Sequence, residues 1–78
     1  MAPVQIVNAK LRIEIEREED GRFIAEIPEL PGVIVHGTTA TEAVAKAQAL
    51  AFRVIADRID HGETVPGVDA VFIVHSNS

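Results

Sequence analysis

Thr39-Ala40-Thr41-Glu42-Ala43-Val44-Ala45-Lys46-Ala47-Gln48-Ala49-Leu50-Ala51-Phe52-Arg53-Val54-Ile55 is the stretch that decides the fold. Thr39-x-x-Glu42 has the spacing of a capping box: the threonine oxygen can accept from the N–H of residue 42, and the glutamate can reach back. Ala43, Val44, Ala47, Leu50, Ala51, Val54 and Ile55 then recur at steps of three and four, which is one apolar stripe of an amphipathic helix. Ile59 extends the stripe. Lys46, Arg53 and Asp57 mostly fall elsewhere. Gly62 stands where a helix of this length needs its C-terminal cap.

Upstream, Leu11, Ile13 and Ile15 alternate with Arg12, Glu14 and Glu16, the period of a half-buried strand. Glu18-Glu19-Asp20-Gly21 breaks the pattern, and Asp-Gly suits a tight turn. A second strand runs from Arg22 to Ile27 with Phe23, Ala25 and Ile27 on one face, so the two strands form an antiparallel hairpin. Pro28-Glu29-Leu30-Pro31-Gly32 cannot continue a ladder, because proline has no N–H to donate. Val33-Ile34-Val35-His36 is a short third strand closed by Gly37. Downstream of the helix, Pro66-Gly67 punctuates and Val68 to His75 reads as a last strand, apolar without alternation from Ala70 to Val74.

The order is β-β-β-α-β, an α+β domain with an antiparallel sheet and one helix laid across one face. Leu11, Ile13, Ile15, Phe23, Ala25, Ile27 and Val35 are expected to face the helix. Ile24, Ile34, Val71 and Ile73 are left for the open face or an edge. Exposed apolar surface of that kind in so small a chain suggests an interface. The expectation is a homo-oligomer, a dimer first, with Val71 and Ile73 in its interface. The alternative is a centrally placed, well-packed last strand.

Composition bounds the function. At 78 residues the chain makes one domain, 1–78, with a thin core and a polar tail over 76–78. It has no cysteine, so neither a disulfide nor a thiolate nucleophile or ligand is available. Twelve acidic against seven basic residues give a formal charge of −5, and there is no Trp or Tyr. Nucleic-acid binding wants basic stripes and stacking platforms instead, and a net acidic chain fits a basic partner. No apolar run reaches the length of a membrane span, and Met1-Ala2-Pro3-Val4-Gln5 lacks the regions of a signal peptide. A soluble, cytoplasmic protein is expected.

Gly32-x-x-x-x-Gly37 mimics a phosphate-binding loop, but Thr38 stands where that loop needs lysine. His36, His61 and His75 include no pair at the helical spacing of a zinc site. His61 beside the helix end suits the helix dipole. Glu14 and Glu16 share one strand face, and Glu26 on the neighbouring strand is the one obvious addition. A metal-dependent nuclease would need further carboxylates meeting them, so they read as solvated charges. No histidine and carboxylate are arranged to activate Ser76 or Ser78. No catalytic residue, metal or cofactor is expected, and the chain is not read as an enzyme.

Asp20-Gly21-x-Phe23-x-Ala25-x-Ile27-Pro28-Glu29-Leu30-Pro31-Gly32, followed by Gly37-Thr38-Thr39-x-Thr41-Glu42-Ala43, resembles the signature of the HicB antitoxin N-terminal domain. The likeness covers about 11–66, and its specificity lies in the ordered set. It implies a partial ribonuclease-H-like β-β-β-α-β domain without the nuclease carboxylates. It also implies a partner: a small basic HicA-type toxin that cleaves mRNA, whose catalytic histidine and RNA surface the antitoxin blocks. The DNA-binding domain that many members carry at the C-terminus has no counterpart after the last expected strand, so direct nucleic-acid binding is not expected. The contacts assigned to the partner are Asp20, Glu29 and Leu30 from the two loops and Ile34 from the strand beside them. A homo-oligomeric HicB-like domain without a toxin is the alternative.

Overall fold

The computed structural model describes residues 11–65, 67–68 and 72–76. Three short strands, β1 (Glu14–Arg17), β2 (Phe23–Glu26) and β3 (Ile34–Gly37), precede one long helix, α1 (Ala40–Asp60). The sheet is antiparallel in the order β1-β2-β3. The α+β reading therefore holds for three strands and one helix.

Register follows from the alternation. Ile15 lies opposite Ala25, and Ala25 opposite Val35, so the apolar set shares the face toward α1. Ala25, Ile27, Leu30, Val33, Ala43, Ala47, Ala51 and Val65 form the buried core, with Leu11, Ile13, Phe23 and Val35 packed partly against it. Alanine dominates the buried helix face. A small side chain there lets the helix axis come close to the strands, at the cost of little apolar area per residue. Ile15 shares the inward face yet remains 43% exposed, because α1 lies mainly over β2 and β3.

The Pro28–Gly32 turn is built as its composition requires. Leu30 N–H donates to the Ile27 carbonyl (2.9 Å), Val33 N–H to the Leu30 carbonyl (3.0 Å) and Ile27 N–H to the Val33 carbonyl (3.1 Å). These bonds fold Leu30 inward, where it is fully buried.

Both helix caps form. Glu42 N–H donates to Thr39 Oγ1 at 3.0 Å. The reciprocal arm reaches one residue further than the capping box expects: the Glu42 carboxylate accepts from Thr38 N–H (3.1 Å) and Thr38 Oγ1 (3.3 Å). At the other end Gly62 has φ +76°, Gly62 N–H donates to the Ile59 carbonyl and Glu63 N–H to the Arg58 carbonyl. That pair of bonds is a Schellman motif, which needs a left-handed residue at Gly62. His61 Nδ1 lies 2.7 Å from the Asp57 carbonyl oxygen, so the ring serves the helix end.

The expected last strand is not formed by the described part of its segment. Val68 sits in a helical turn and Phe72–Ser76 join no ladder; Ala70 and Val71 lie outside the described residues. A run that is apolar at every position selects neither a face nor a register, whereas the alternating strands select both.

Gly37 is where the helix meets the sheet. A Cβ at this position would stand 2.6 Å from the Ala43 backbone nitrogen and 3.0 Å from its Cα. Gly37→Ala should therefore destabilise the fold by about 1–3 kcal/mol through overpacking, read as a lower urea midpoint. An unchanged midpoint would mean that α1 can shift without loss.

Candidate functional site, an acidic open face of the sheet

The face of the sheet turned away from α1 carries Glu14, Glu16, Ile24, Glu26, Ile34 and His36. Register brings Glu14 opposite Glu26, Glu26 opposite Ile34, Glu16 opposite Ile24, and Ile24 opposite His36. Two apolar side chains thus lie among three carboxylates and an imidazole. Ile34 is 51% exposed. Shallow depressions lie along this face, one lined by Glu14, Ile15, Glu16, Ile24 and Glu26, the other by Glu16, Arg17, Glu18, Glu19, Asp20 and Ile24.

The charges are unevenly compensated. Arg22 Nε holds Asp20 Oδ2 at 2.8 Å, and Arg22 NH2 approaches Glu18 at 3.8 Å. His36 Nε2 lies 3.5 Å from the same Glu18 carboxylate. Arg12 Nε holds Glu29 Oε2 at 2.8 Å and reaches Glu14 at 3.6 Å. Among the described residues no cation lies within ion-pair distance of Glu16, Glu19 or Glu26. Glu14 and Glu26 are like charges directly across the ladder, an arrangement that weakens a strand pair.

The four residues assigned to the partner from sequence are not brought together. Asp20 lies in the β1–β2 turn, at one end of β2. Glu29 and Ile34 lie at the opposite end, beside the Pro28–Gly32 turn. Ile34 does face outward, as expected. Leu30 does not: its side chain is a core residue and presents no surface to a docking protein. Glu29 is committed within the chain, since Arg12 N–H donates to its Oε1 at 3.1 Å and Arg12 Nε to its Oε2. Of the interface residues, Ile73 is 85% exposed, and Val71 lies outside the described residues. Glu16 and Glu26 were read from sequence as solvated charges; only the register shows that they and Ile34 form one surface. The i, i+2 spacing of Glu14 and Glu16 was the available signal, but Glu26 joins them through pairing.

Among the described residues no three His, Asp or Glu side chains are grouped to hold a metal ion. Among the same residues no helix is long and apolar enough to cross a membrane. Comparison with family profiles, with curated proteins and with solved structures returns no match.

Among the described residues three carboxyls are held below their ordinary values. For Glu29 the first cause is the hydrogen bond from the Arg12 guanidinium, followed by the Arg12 backbone N–H. For Asp20 it is the Arg22 backbone N–H, and for Glu42 the Thr38 backbone N–H. A depressed folded-state pKa contributes stability above the unfolded value, and that contribution is lost as pH falls through the folded value. The urea midpoint should therefore drop on acidification below about pH 4.5, the ordinary glutamate range. Glu29→Gln should flatten that drop; superimposable acid limbs would show that the Arg12 clamp adds no stability. Glu26→Lys places a cation opposite Glu14 and should raise stability by about 0.2–1 kcal/mol, seen as a higher melting temperature at low salt. A lower one would mean that the opposed carboxylates do not strain the ladder.

Proposed function

We propose that the chain is a non-catalytic binding protein of the HicB-like antitoxin type, which masks the active surface of a small basic HicA-type mRNA-cleaving toxin. The observation that carries this reading is the open face, where uncompensated Glu16 and Glu26 and the opposed pair Glu14/Glu26 flank an exposed Ile34. Like charges held across a ladder cost stability in the free protein, and a basic partner removes that cost on binding.

The division of labour follows from general interface physics. Apolar anchors in the centre of a patch supply most of the affinity, and peripheral charges steer the encounter. Here Ile34, with Ile24 behind it, is the anchor. Glu26 stands opposite it, Glu14 and Glu16 lie beyond on β1, and Asp20 with Glu19 extends the negative field beyond the β1–β2 turn. The mechanism is occlusion: the antitoxin needs no proton transfer, metal or cofactor, and it touches no nucleic acid. In this reading the β-β-β-α unit is a partial ribonuclease-H-like scaffold of the HicB kind. An mRNA-cleaving partner acts where messages are translated, so the complex belongs in the cytoplasm.

The test is titration calorimetry and stopped-flow association with a small basic HicA-type ribonuclease. The Ile34→Glu variant should bind at least about 30-fold more weakly, the scale of a lost anchor. The Glu16→Lys/Glu26→Lys variant should associate roughly tenfold more slowly and lose most of its dependence on salt. Unchanged binding by Ile34→Glu, or no complex with the parent protein, would remove the reading.

A further inference from the structure

α1 carries a second apolar row besides the one that meets the sheet. Ala45, Ala49, Phe52, Ala56 and Ile59 are all exposed, Phe52 at 72% and Ile59 at 48%. Their steps of four, three, four and three are the spacing of a coiled-coil seam. At 3.6 residues per turn this row lies on the side of the helix turned away from the buried Ala43, Ala47 and Ala51. The outward side of a helix laid on a sheet is ordinarily polar, so the row has no role in the fold of a single chain.

The two borders of the row differ. Thr41, Gln48 and Ile55 lie along one and carry no charge. Glu42, Lys46, Arg53, Asp57 and Asp60 lie along the other, and beyond the capping Glu42 the sign changes once: Lys46 and Arg53 come before residue 54, Asp57 and Asp60 after it. Among the described residues Arg53 and Asp60 have no ion-pair partner, and Asp57 has only the His61 ring, at 3.6 Å. Lys46 is engaged by Glu42 at 3.4 Å and by the His36 carbonyl at 3.2 Å, which leaves one of its three donors.

Size and charge share one two-fold register. When two copies of the row run antiparallel about an axis level with residue 54, Ala49 meets the second copy's Ile59, and Phe52 meets the second copy's Ala56. Each large side chain then faces an alanine. Antiparallel pairing also brings charged border to charged border. In the same register Arg53 falls beside the second copy's Asp57, and Lys46 beside the second copy's Asp60. Parallel pairing stacks Phe52 on Phe52, leaves the alanine layers unfilled and sets the charged border against the uncharged one.

We propose that the outward face of α1 is a self-recognition surface, on which a second copy of the chain packs antiparallel, helix on helix, with the two-fold axis level with residue 54. The same patch serves both copies, so the contact closes at two. A single helix-on-helix contact stands at the lower end of interface sizes, and the dimer is therefore a reversible one whose population depends on concentration. The sheets lie on the outer sides of the helix pair, which leaves both acidic open faces uncovered. The proposal is thus independent of the toxin reading.

Sedimentation equilibrium tests it. The mean mass of the parent should rise from 8.4 kDa toward twice that value as concentration increases. Ala56→Glu sets a carboxylate in the layer of Phe52 and should weaken the dimer at least about tenfold. Its helical circular dichroism should be unchanged, because the position is exposed and glutamate is a good helix former. Charge exchange tests the register. Arg53→Asp and Asp57→Arg each set like charges together in their own homodimers and should weaken them. Mixed in equal amounts, with one chain mass-tagged, the two variants regain both opposite-charge pairs and should form a heterodimer about as tight as the parent dimer. This comparison stands even if Ala56→Glu disturbs the helix. A parent that stays monomeric up to millimolar concentration, a dimer that Ala56→Glu leaves intact, or a mixture no tighter than its two components would overturn the proposal.

Discussion

The first turn of α1 lies hard against Gly37 at the end of β3, and the rest of the fold depends on that approach. The first turn of the helix sits against the end of β3 with no room for a side chain, and Ala43, Ala47 and Ala51 continue that tight seam along Ala25. Thr39 and Glu42 then hold the helix start in place through the Thr39 hydroxyl and the Thr38 backbone. A larger residue at Gly37 would lift the N-terminal turn away, and the alanine seam is too thin to tolerate a gap. The cost of this geometry is area: small residues bury little apolar surface, so Leu30, Val33, Ile27 and Val65 must complete the core from the loops.

Closeness on one side creates bareness on the other. Because the helix is drawn down onto β2 and β3, β1 is left at the margin with Ile15 partly uncovered. On the opposite face the described residues place no second layer over the three-stranded sheet, and it is there that Glu14, Glu16 and Glu26 lie beside Ile24 and Ile34.

The charged loops serve the scaffold before they serve a partner. Arg12 clamps Glu29 and so ties the entry of β1 to the Pro28–Gly32 turn, while Arg22 clamps Asp20 across the first turn. Sequence reading assigned both acids to a partner because an isolated carboxylate in a loop looks available. Their cations lie 2 and 17 residues away along the chain, and the longer pairing becomes visible only when the sheet is assembled.

Local sequence determined the parts of this protein that depend on local physics. The alternation of Leu11 to Ile15, the two prolines of the second turn, the Thr39 cap and Gly62 each specify an element through backbone geometry within a few residues; the turn and both caps form there, whereas the first strand forms at Glu14–Arg17, later than the alternation that starts at Leu11. Leu30, expected at a partner contact, is buried because three backbone bonds turn its loop inward. The last strand was read from apolar content alone, which supplies a reason for burial but no register. Tertiary structure alone decided that Glu14 stands opposite Glu26 and that Asp20 and Ile34 lie at opposite ends of β2. Pairing partners and the side on which a helix settles are set by contacts between segments remote in sequence, and no pattern within one segment encodes them.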